Sequence, residues 1–175
     1  MPGTHIAVAT DEDLKQAISP AIALCYRYWT GKRALCGPGR LPGREHLDPV
    51  EMVRFLAHVV LFDVVRNGSY YRFRHRLTGT HFAEIFGRDV TGLYIEQTGS
   101  LETFEAIYRR FTTIVDDKAP AYGISPSPVR DRDFLEYEHL TLPLATDGQT
   151  VDLLFGVRCV LQYRRRPFEA IAVSS

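Results

Sequence analysis

Four residues of types used in acid–base chemistry lie in the middle and last third of the chain: Asp63, His75, Tyr108 and His139. A carboxylate and a histidine within hydrogen-bond reach in a pocket would form a general acid and base. These residues belong to no catalytic motif, because neither HExxH nor Gly-x-Ser-x-Gly occurs in the chain. We therefore predict that they are structural polar residues, and that the chain is not an enzyme.

Three arginines, Arg72, Arg74 and Arg76, alternate with aromatic residues and a histidine. In a β-strand such alternation puts the arginines on one face. They could bind an anion or a nucleic acid, or their head groups could reach water or carboxylates; for Arg76, which we expect to anchor the end of the strand, the carboxylate could be Asp63 or Asp89. The chain has 21 basic and 21 acidic residues, without the positive excess typical of nucleic-acid binders. We predict a partly covered sheet face and no nucleic-acid partner; the role of the stripe itself stays open.

The three cysteines, Cys25, Cys36 and Cys159, are odd in number and match no zinc spacing. They indicate reduced thiols and no metal site, with a disulfide or a redox thiol at Cys36 as the alternative. The first residues show no secretion signal, and no apolar run approaches the roughly 20 residues that span a bilayer. These observations predict a cytoplasmic protein without a membrane partner.

The first half of the chain predicts helices followed by a hairpin. A kinked helix or two joined helices are expected over residues 11–35, restarting at Ser19-Pro20. Asp48-Pro49 predicts the start of a short helix. The β-branched run before Asn67-Gly68 and the alternating run after it predict a β-hairpin from Val59 to Leu77.

The second half predicts one long helix and three strands. Leu101 to Lys118 has apolar residues at helical spacing, with Ser100 as its cap. The strands are an edge strand from Ala121, then Phe134 to Leu144, and Val151 to Tyr163. Asp147-Gly148 predicts the turn between the last two.

This order of elements resembles the PAS domain. Several short segments also resemble landmarks of a PAS-like family found chiefly in alphaproteobacteria: Tyr28-Trp29, residues 41–44, Asp48-Pro49, Asp63, residues 76–80, residues 87–92, residues 142–144 and Asp147-Gly148. The resemblance runs from about Tyr28 to Leu161. It implies an α+β fold: a PAS-like five-stranded antiparallel sheet with helices on one face, plus an N-terminal helical extension. We expect the extension, a cap or dimer contact, in residues 1–40, the PAS-like domain in 41–166 and a tail in 167–175.

The resemblance implies a cavity between the sheet and the long helix. Its candidate lining residues are Phe73, His75, Phe82, Phe104, Tyr108 and Phe155, which would equally form a filled core. No cofactor is expected. Residues 80–95 contain no cysteine for covalent flavin chemistry, and the long helix contains no histidine for haem.

These features predict a stand-alone sensory or regulatory PAS-like module that binds a small molecule or a protein partner and signals in trans. Only about ten residues follow the last predicted strand, so output is expected through a homodimer or a signalling-protein partner. The candidate interface residues are Tyr26 and Trp29 on the N-terminal helix. The alternative is a small enzyme of cone-like α+β type, an isomerase or dehydratase, using a histidine and a carboxylate in the pocket.

Overall fold

The structure, a computed structural model, describes residues 7–8, 12, 14, 16–126 and 135–163. Its strands form one antiparallel sheet and are bounded as follows: β1 Ala7–Val8, β2 Val59–Asn67, β3 Tyr70–Thr78, β4 Ala121–Pro126, β5 Leu135–Leu144 and β6 Leu153–Tyr163. Their order across the sheet is β1-β4-β5-β6-β2-β3. The five longer strands confirm the predicted sheet and the α+β class. The two-residue β1, which pairs with β4, was not expected.

The β2–β3 hairpin forms with a turn displaced by one residue from the predicted one. Asn67 pairs with Tyr70, so Gly68 and Ser69 are the central residues of the turn. Gly68 has a φ of 60°, a left-handed conformation that glycine adopts without steric penalty. Pairing therefore continues through Asn67, and the glycine takes the first central position of the turn.

A β-bulge interrupts β3 near its end. Phe62 pairs with His75 and Leu61 pairs with Leu77, so Arg76 is the extra residue. The bulge ends the simple alternation of faces that the sequence predicts for this strand. Leu77 is 38% exposed and does not continue the buried positions of Phe73 and His75.

Three α-helices with full bounds in the described ranges accompany the sheet: α1 Pro20–Leu35, α2 Thr80–Phe86 and α3 Leu101–Asp117. Ser19 precedes α1 with Pro20 in its first turn, and the hydroxyl of Ser100 accepts a hydrogen bond from the backbone N–H of Thr103 in α3. These starts are as predicted. The expected helix before Ser19 falls partly on residues outside the described ranges.

The short helix predicted from Asp48-Pro49 is wrong. The backbone N–H of Met52 bonds to the carbonyl of Pro49, and that of Phe55 to the carbonyl of Met52, so the bonds span three residues. The segment consists of turns that lead into a 3-10 helix, Leu56–His58. Met52 and Phe55 are buried, and their three-residue spacing suits this tighter winding and not an α-helix.

Both faces of the sheet are covered. Helix α1 lies on one face, where the Trp29 indole N–H donates to the carbonyl of Pro143 at 3.0 Å. Helix α3 lies on the other, where the Phe111 ring contacts the rings of Phe62 and Phe73 at 4.8 and 5.1 Å between centroids. Consecutive residues of the central strands are therefore both buried, as at Leu154 and Phe155.

The division into 1–40, 41–166 and 167–175 stays a prediction, and the tail lies outside the described residues. Helix α1 shares the main apolar core through Ile22, Cys25 and Trp29. Helix α1 therefore packs on the sheet as part of the core.

Candidate functional site

A small hollow lies between the sheet and helices α2 and α3. Its volume is about 20 Å³, enough for one water molecule. The residues around it are aromatic and aliphatic apart from a few polar side chains; they are Phe62, His75, Phe82, Phe86, Ile95, Thr98, Ile107, Arg110, Phe111, Tyr137 and Arg158. In this structure the predicted cavity is thus nearly filled by side chains.

The hollow contains two of the six candidate cavity residues, His75 and Phe82. Phe73, Phe104 and Tyr108 form a neighbouring aromatic cluster, in which the Tyr108 ring lies 5.8 Å from that of Phe73 and 5.6 Å from that of Phe104. The structure places Phe155 on the opposite face of the sheet, where its ring meets Tyr28 of α1 at 6.5 Å. Alternation along β6 directs it there.

Arg158 of β6 is 3% exposed and projects into the hollow side of the sheet. Its Nη1 donates to the carbonyls of Leu140 and Val157, both at 3.0 Å, and its Nη2 donates to the Thr141 hydroxyl at 3.0 Å. All three acceptors are neutral oxygens. The guanidinium is held firmly in place, but no opposite charge among these partners compensates it.

Arg110 of α3 is the second buried guanidinium, with 4% of its surface exposed. Its Nη1 donates to Nε2 of His139 at 2.8 Å, and the Ser125 hydroxyl lies 2.8 Å from the same nitrogen. Because arginine can only donate, Nε2 is the accepting nitrogen, and the ring proton belongs on Nδ1. Arg110 Nε and His139 Nδ1 are both buried, and neither has a hydrogen-bond partner in the described part of the chain.

Burial and like charge shift the pKa values of this cluster in one direction. Burial, followed by the charge of Arg110, lowers the pKa of Arg158 to about 9. Burial also lowers the pKa of Arg110, although Tyr137 opposes the change. Burial and the two arginines hold the pKa of His139 well below its usual range, and burial followed by Arg158 lowers that of His75 to about 4. Both histidines are therefore neutral at pH 7.

No aspartate or glutamate is among the described residues that line the hollow. Glu138, which is fully buried, is adjacent in sequence to His139 but projects to the α1 face. There its carboxylate accepts hydrogen bonds from the backbone N–H groups of Ile18 and Ser19 at 2.8 and 2.7 Å. The described residues that line the hollow thus carry positive and neutral groups only.

The acid–base pair needed by the enzyme alternative is not assembled at the hollow. Asp63 lies on the opposite face of the β2–β3 ribbon from His75, where Arg74 and Arg76 donate to it at 2.7 and 3.0 Å. Tyr108 is not a lining residue. The charge of Asp89 also acts on His75 and opposes the fall in its pKa, but among the described residues the Asp89 carboxylate bonds to the backbone N–H of Thr91.

The arginine stripe is paired with carboxylates. The predicted contact of Arg76 with Asp63 is confirmed, and Arg74 shares the same carboxylate. Arg72 binds Glu96 at 2.6 Å and stacks over the Tyr94 ring at 3.7 Å. These contacts support the prediction of a partly covered sheet face.

Sequence reasoning missed Arg110, Arg158 and Glu138, the buried charges around which the site is built. Arg110 follows Ile107 by three residues and precedes Ile114 by four, which is the spacing of one helix face. Arg158 and Glu138 lie within apolar strand runs. A charged residue inside an apolar stripe is the signal that points to them, since such residues are rarely buried without a partner.

The two candidate interface residues differ in burial. Trp29 is 1% exposed and packs on the chain's own sheet, whereas Tyr26 is half-buried and stacks beside it at 6.3 Å. Contact between Trp29 and a partner would require α1 to leave the sheet. An interface at these residues stays a prediction.

Cys36 lies at the surface end of α1, with its Sγ 3.7 Å from Nε2 of His46. Cys25 and Cys159 are buried, and all three cysteines are free thiols. Within the described ranges, no three histidine, cysteine, aspartate or glutamate side chains gather as a metal-binding group. Across those same ranges, no helix combines the length and apolarity required to cross a membrane.

Comparison with known proteins gives a family. A model for the PAS domain matches residues 17–159. No curated protein matches the chain. Among solved structures, one described as an RNA-binding light-oxygen-voltage receptor matches with a TM-score of 0.46 and 14% identity over 71% of this chain. This chain spans 37% of that one. Since the family model covers most of the sequence, and the sheet has the five antiparallel strands expected of that family, the chain belongs to the PAS domain family.

Proposed function

We propose that this chain is a sensory PAS module in which the state of the hollow is passed through strand β5 to the start of helix α1. The observation that carries the proposal is the pair Glu138 and His139. These consecutive residues of β5 project to opposite faces of the sheet, as strand geometry requires. Glu138 accepts a hydrogen bond from the backbone just before α1, and His139 accepts one from Arg110 of α3.

On the hollow side, His139 is tied to helix α3 through Arg110 at 2.8 Å and to β4 through Ser125 at 2.8 Å. A ligand that moves Arg110 would change the bond that holds His139. Since β5 lies within the sheet between β4 and β6, a change at His139 also acts on the backbone of its neighbour.

On the other side, the Glu138 carboxylate holds the backbone just before α1. Its negative charge lies near the positive end of the helix dipole, where carboxylates are stabilising. A shift of β5 would therefore move or release the start of α1. The short polar chain Arg110–His139–Glu138–Ser19 gives a sensor its input and output on opposite faces of one sheet.

The output is proposed to be non-catalytic and to act in trans. A small-molecule ligand in the hollow would bias the position of α1, and a second copy of the chain or another signalling protein would bind the altered surface. The paired arginine stripe and the hollow without a carboxylate both support a binding module more than an enzyme.

The coupling is testable without knowing the ligand. Amide hydrogen exchange would be measured in Arg110→Met and in the control Arg109→Met, which changes an exposed arginine one residue earlier. We expect Arg110→Met to alter protection at residues 18–22, and Arg109→Met to leave it as in the wild type. Unchanged protection at the start of α1 in Arg110→Met would contradict the proposed route.

A further inference from the structure

We propose that the hollow is an anion site, and that the ligand of this module is a small monocarboxylate bound between the guanidinium groups of Arg110 and Arg158. The inference rests on the proposed sensory function and names the chemical class of its ligand. It excludes neutral ligands and large polyanions.

The charges of the two buried arginines favour an anionic ligand. Two guanidinium groups lie 96–97% buried beside one hollow, and no described lining residue is acidic. A buried charge is unfavourable unless an opposite charge or strong hydrogen bonds compensate it. Neutral carbonyls, one hydroxyl and one imidazole supply the hydrogen bonds here, but the net charge of the cluster remains uncompensated by the described groups.

An unsatisfied donor of Arg110 also favours an anionic ligand. Arg110 Nε is buried and has no partner among the residues that the structure describes, although buried polar groups in proteins are nearly always bonded. Arginine offers a planar fork of N–H groups that matches the two oxygens of a carboxylate. Arg110 donates to His139 through Nη1, so its Nε–H remains available to an oxygen in the hollow.

The volume and the apolar walls of the hollow favour a small ligand. A volume of about 20 Å³ holds one water molecule, so a carboxylate head enters only if the side chains around it move, and a larger ligand would require more movement. The remaining walls are apolar, including Phe82, Phe86 and Ile107. A phosphate or dicarboxylate would leave charged oxygens facing these walls, whereas the methyl or methylene group of a short monocarboxylate packs against them.

Access is available from one side. Phe86, Thr98 and Ile107 line the hollow and are half-buried, so its wall reaches the surface at these residues. Rotation of the two apolar side chains would open a path between α2 and α3, which gives entry to a molecule of acetate or propionate size.

The test uses acetate as the probe. Thermal unfolding and calorimetric titration would be carried out with sodium acetate replacing sodium gluconate at constant ionic strength, since gluconate has the same charge but is much larger and carries hydroxyl groups that the apolar walls would leave unbonded. Wild type and Arg109→Met are expected to show a saturable rise in Tm with acetate. Arg110→Met is expected to bind acetate at least about tenfold more weakly, as one charge-assisted hydrogen-bonding partner is lost.

Folding of the variant is controlled within the same experiment. Arg110→Met removes a buried charge that no described acidic residue compensates, and the Ser125 hydroxyl still reaches Nε2 of His139, so the variant should unfold without acetate at or above the wild-type Tm. Equal Tm values for wild type in acetate and gluconate would overturn the inference. So would an equal response to acetamide, a neutral molecule of the same size, or full acetate binding by Arg110→Met. None of these results would bear on the hydrogen-exchange coupling between Arg110 and α1, so the proposed function is tested separately.

Discussion

Arg110 and Arg158 distinguish this core from an ordinary apolar one. Each donates to neutral hydrogen-bond acceptors. Both arginines lower the pKa of His139, and Arg158 also lowers that of His75. At the scale of single residues, the site is therefore defined by electrostatics. Its histidines are kept neutral, and the Nε–H of Arg110 is a donor without an acceptor among the described residues.

His75 should make stability depend on pH. Its folded pKa is about 4, lowered first by burial and then by Arg158, while in an unfolded chain it is about 6.5. Between these values the unfolded chain binds the extra proton, so stability falls as pH drops from about 6.5 towards 4. The shift corresponds to roughly 3 kcal/mol at most. Urea unfolding of His75→Leu should show a smaller loss than wild type over this range; parallel pH curves would contradict the assignment.

Cys36 should be the reactive thiol of the three. It is half-buried next to His46, whereas burial holds the pKa of Cys25 well above its usual range and raises that of Cys159 to about 11. Since thiolates are the reactive form, iodoacetamide should modify one cysteine in the folded protein at pH 8. Mass spectrometry should find the label at Cys36 and none in Cys36→Ser. Labelling of Cys25 or Cys159 without denaturant would refute this.

Among the elements, strands β5 and β6 carry the connection between the two faces. Their alternating side chains join α1 on one side and α3 on the other, so neither strand has a free face over its central residues. They also approach each other closely at Gly156. A Cβ atom there would lie 2.1 Å from the carbonyl oxygen of Leu140 on β5.

Two glycine substitutions should have opposite effects. Gly156→Ala forces β5 and β6 apart and should lower the free energy of unfolding by about 1–3 kcal/mol. Gly31→Ala lies in helix α1, where a Cβ atom would meet nothing within 4 Å, and should raise it by about 0.5–1 kcal/mol. Urea titrations of both variants against wild type measure this. A Gly156→Ala protein as stable as wild type would show that the two strands can separate at little cost.

At the scale of the whole molecule, the sheet is a layer enclosed between α1 and the α2–α3 side. Trp29 is the largest side chain that holds α1 in place, through burial and through its bond to Pro143. This makes α1 an integral part of the core, and it also makes α1 the element whose release would change the surface most.

Trp29→Ala should destabilise the fold and leave the oligomeric state unaltered. Loss of a buried tryptophan costs about 3–5 kcal/mol, and Arg27→Ala, an exposed change in the same helix, should stay within about 0.5 kcal/mol of wild type. Urea unfolding gives the stabilities, and native mass spectrometry gives the masses. Dissociation of a wild-type dimer by Trp29→Ala alone would instead place this residue in an interface, as the sequence analysis expected.

Native mass spectrometry of the wild type also addresses the predicted homodimer and ligand. We expect a dimer, or a monomer that associates with a protein partner, and a bound acid of low mass when the spectrum is taken under gentle conditions. A neutral bound molecule would contradict the anion site and would still be compatible with a sensor.

Local patterns in the sequence were sufficient for the elements. Ser19-Pro20, Ser100 and Asp147-Gly148 act through hydrogen bonds and backbone angles within a few residues, so their helices and turn form as predicted. The order of strands and helices, and with it the family resemblance, follows from the same local signals. The segment after Asp48-Pro49 was wrongly predicted as an α-helix, because three- and four-residue spacings of apolar groups are hard to distinguish over one or two turns.

Only the tertiary structure decided which side of the sheet each residue faces and which charges are buried. A period of two places Phe155 and Leu154 on opposite faces, but it does not say which helix covers which face when both are apolar. Phe155 consequently lies against α1, outside the hollow for which it was predicted. Arg110 and Arg158 line the same hollow although 48 residues separate them in the chain, and their burial depends on neutral acceptors supplied by β5 and β6. Such long-range pairing has no local signature, and it is what turns a PAS sheet into this candidate site.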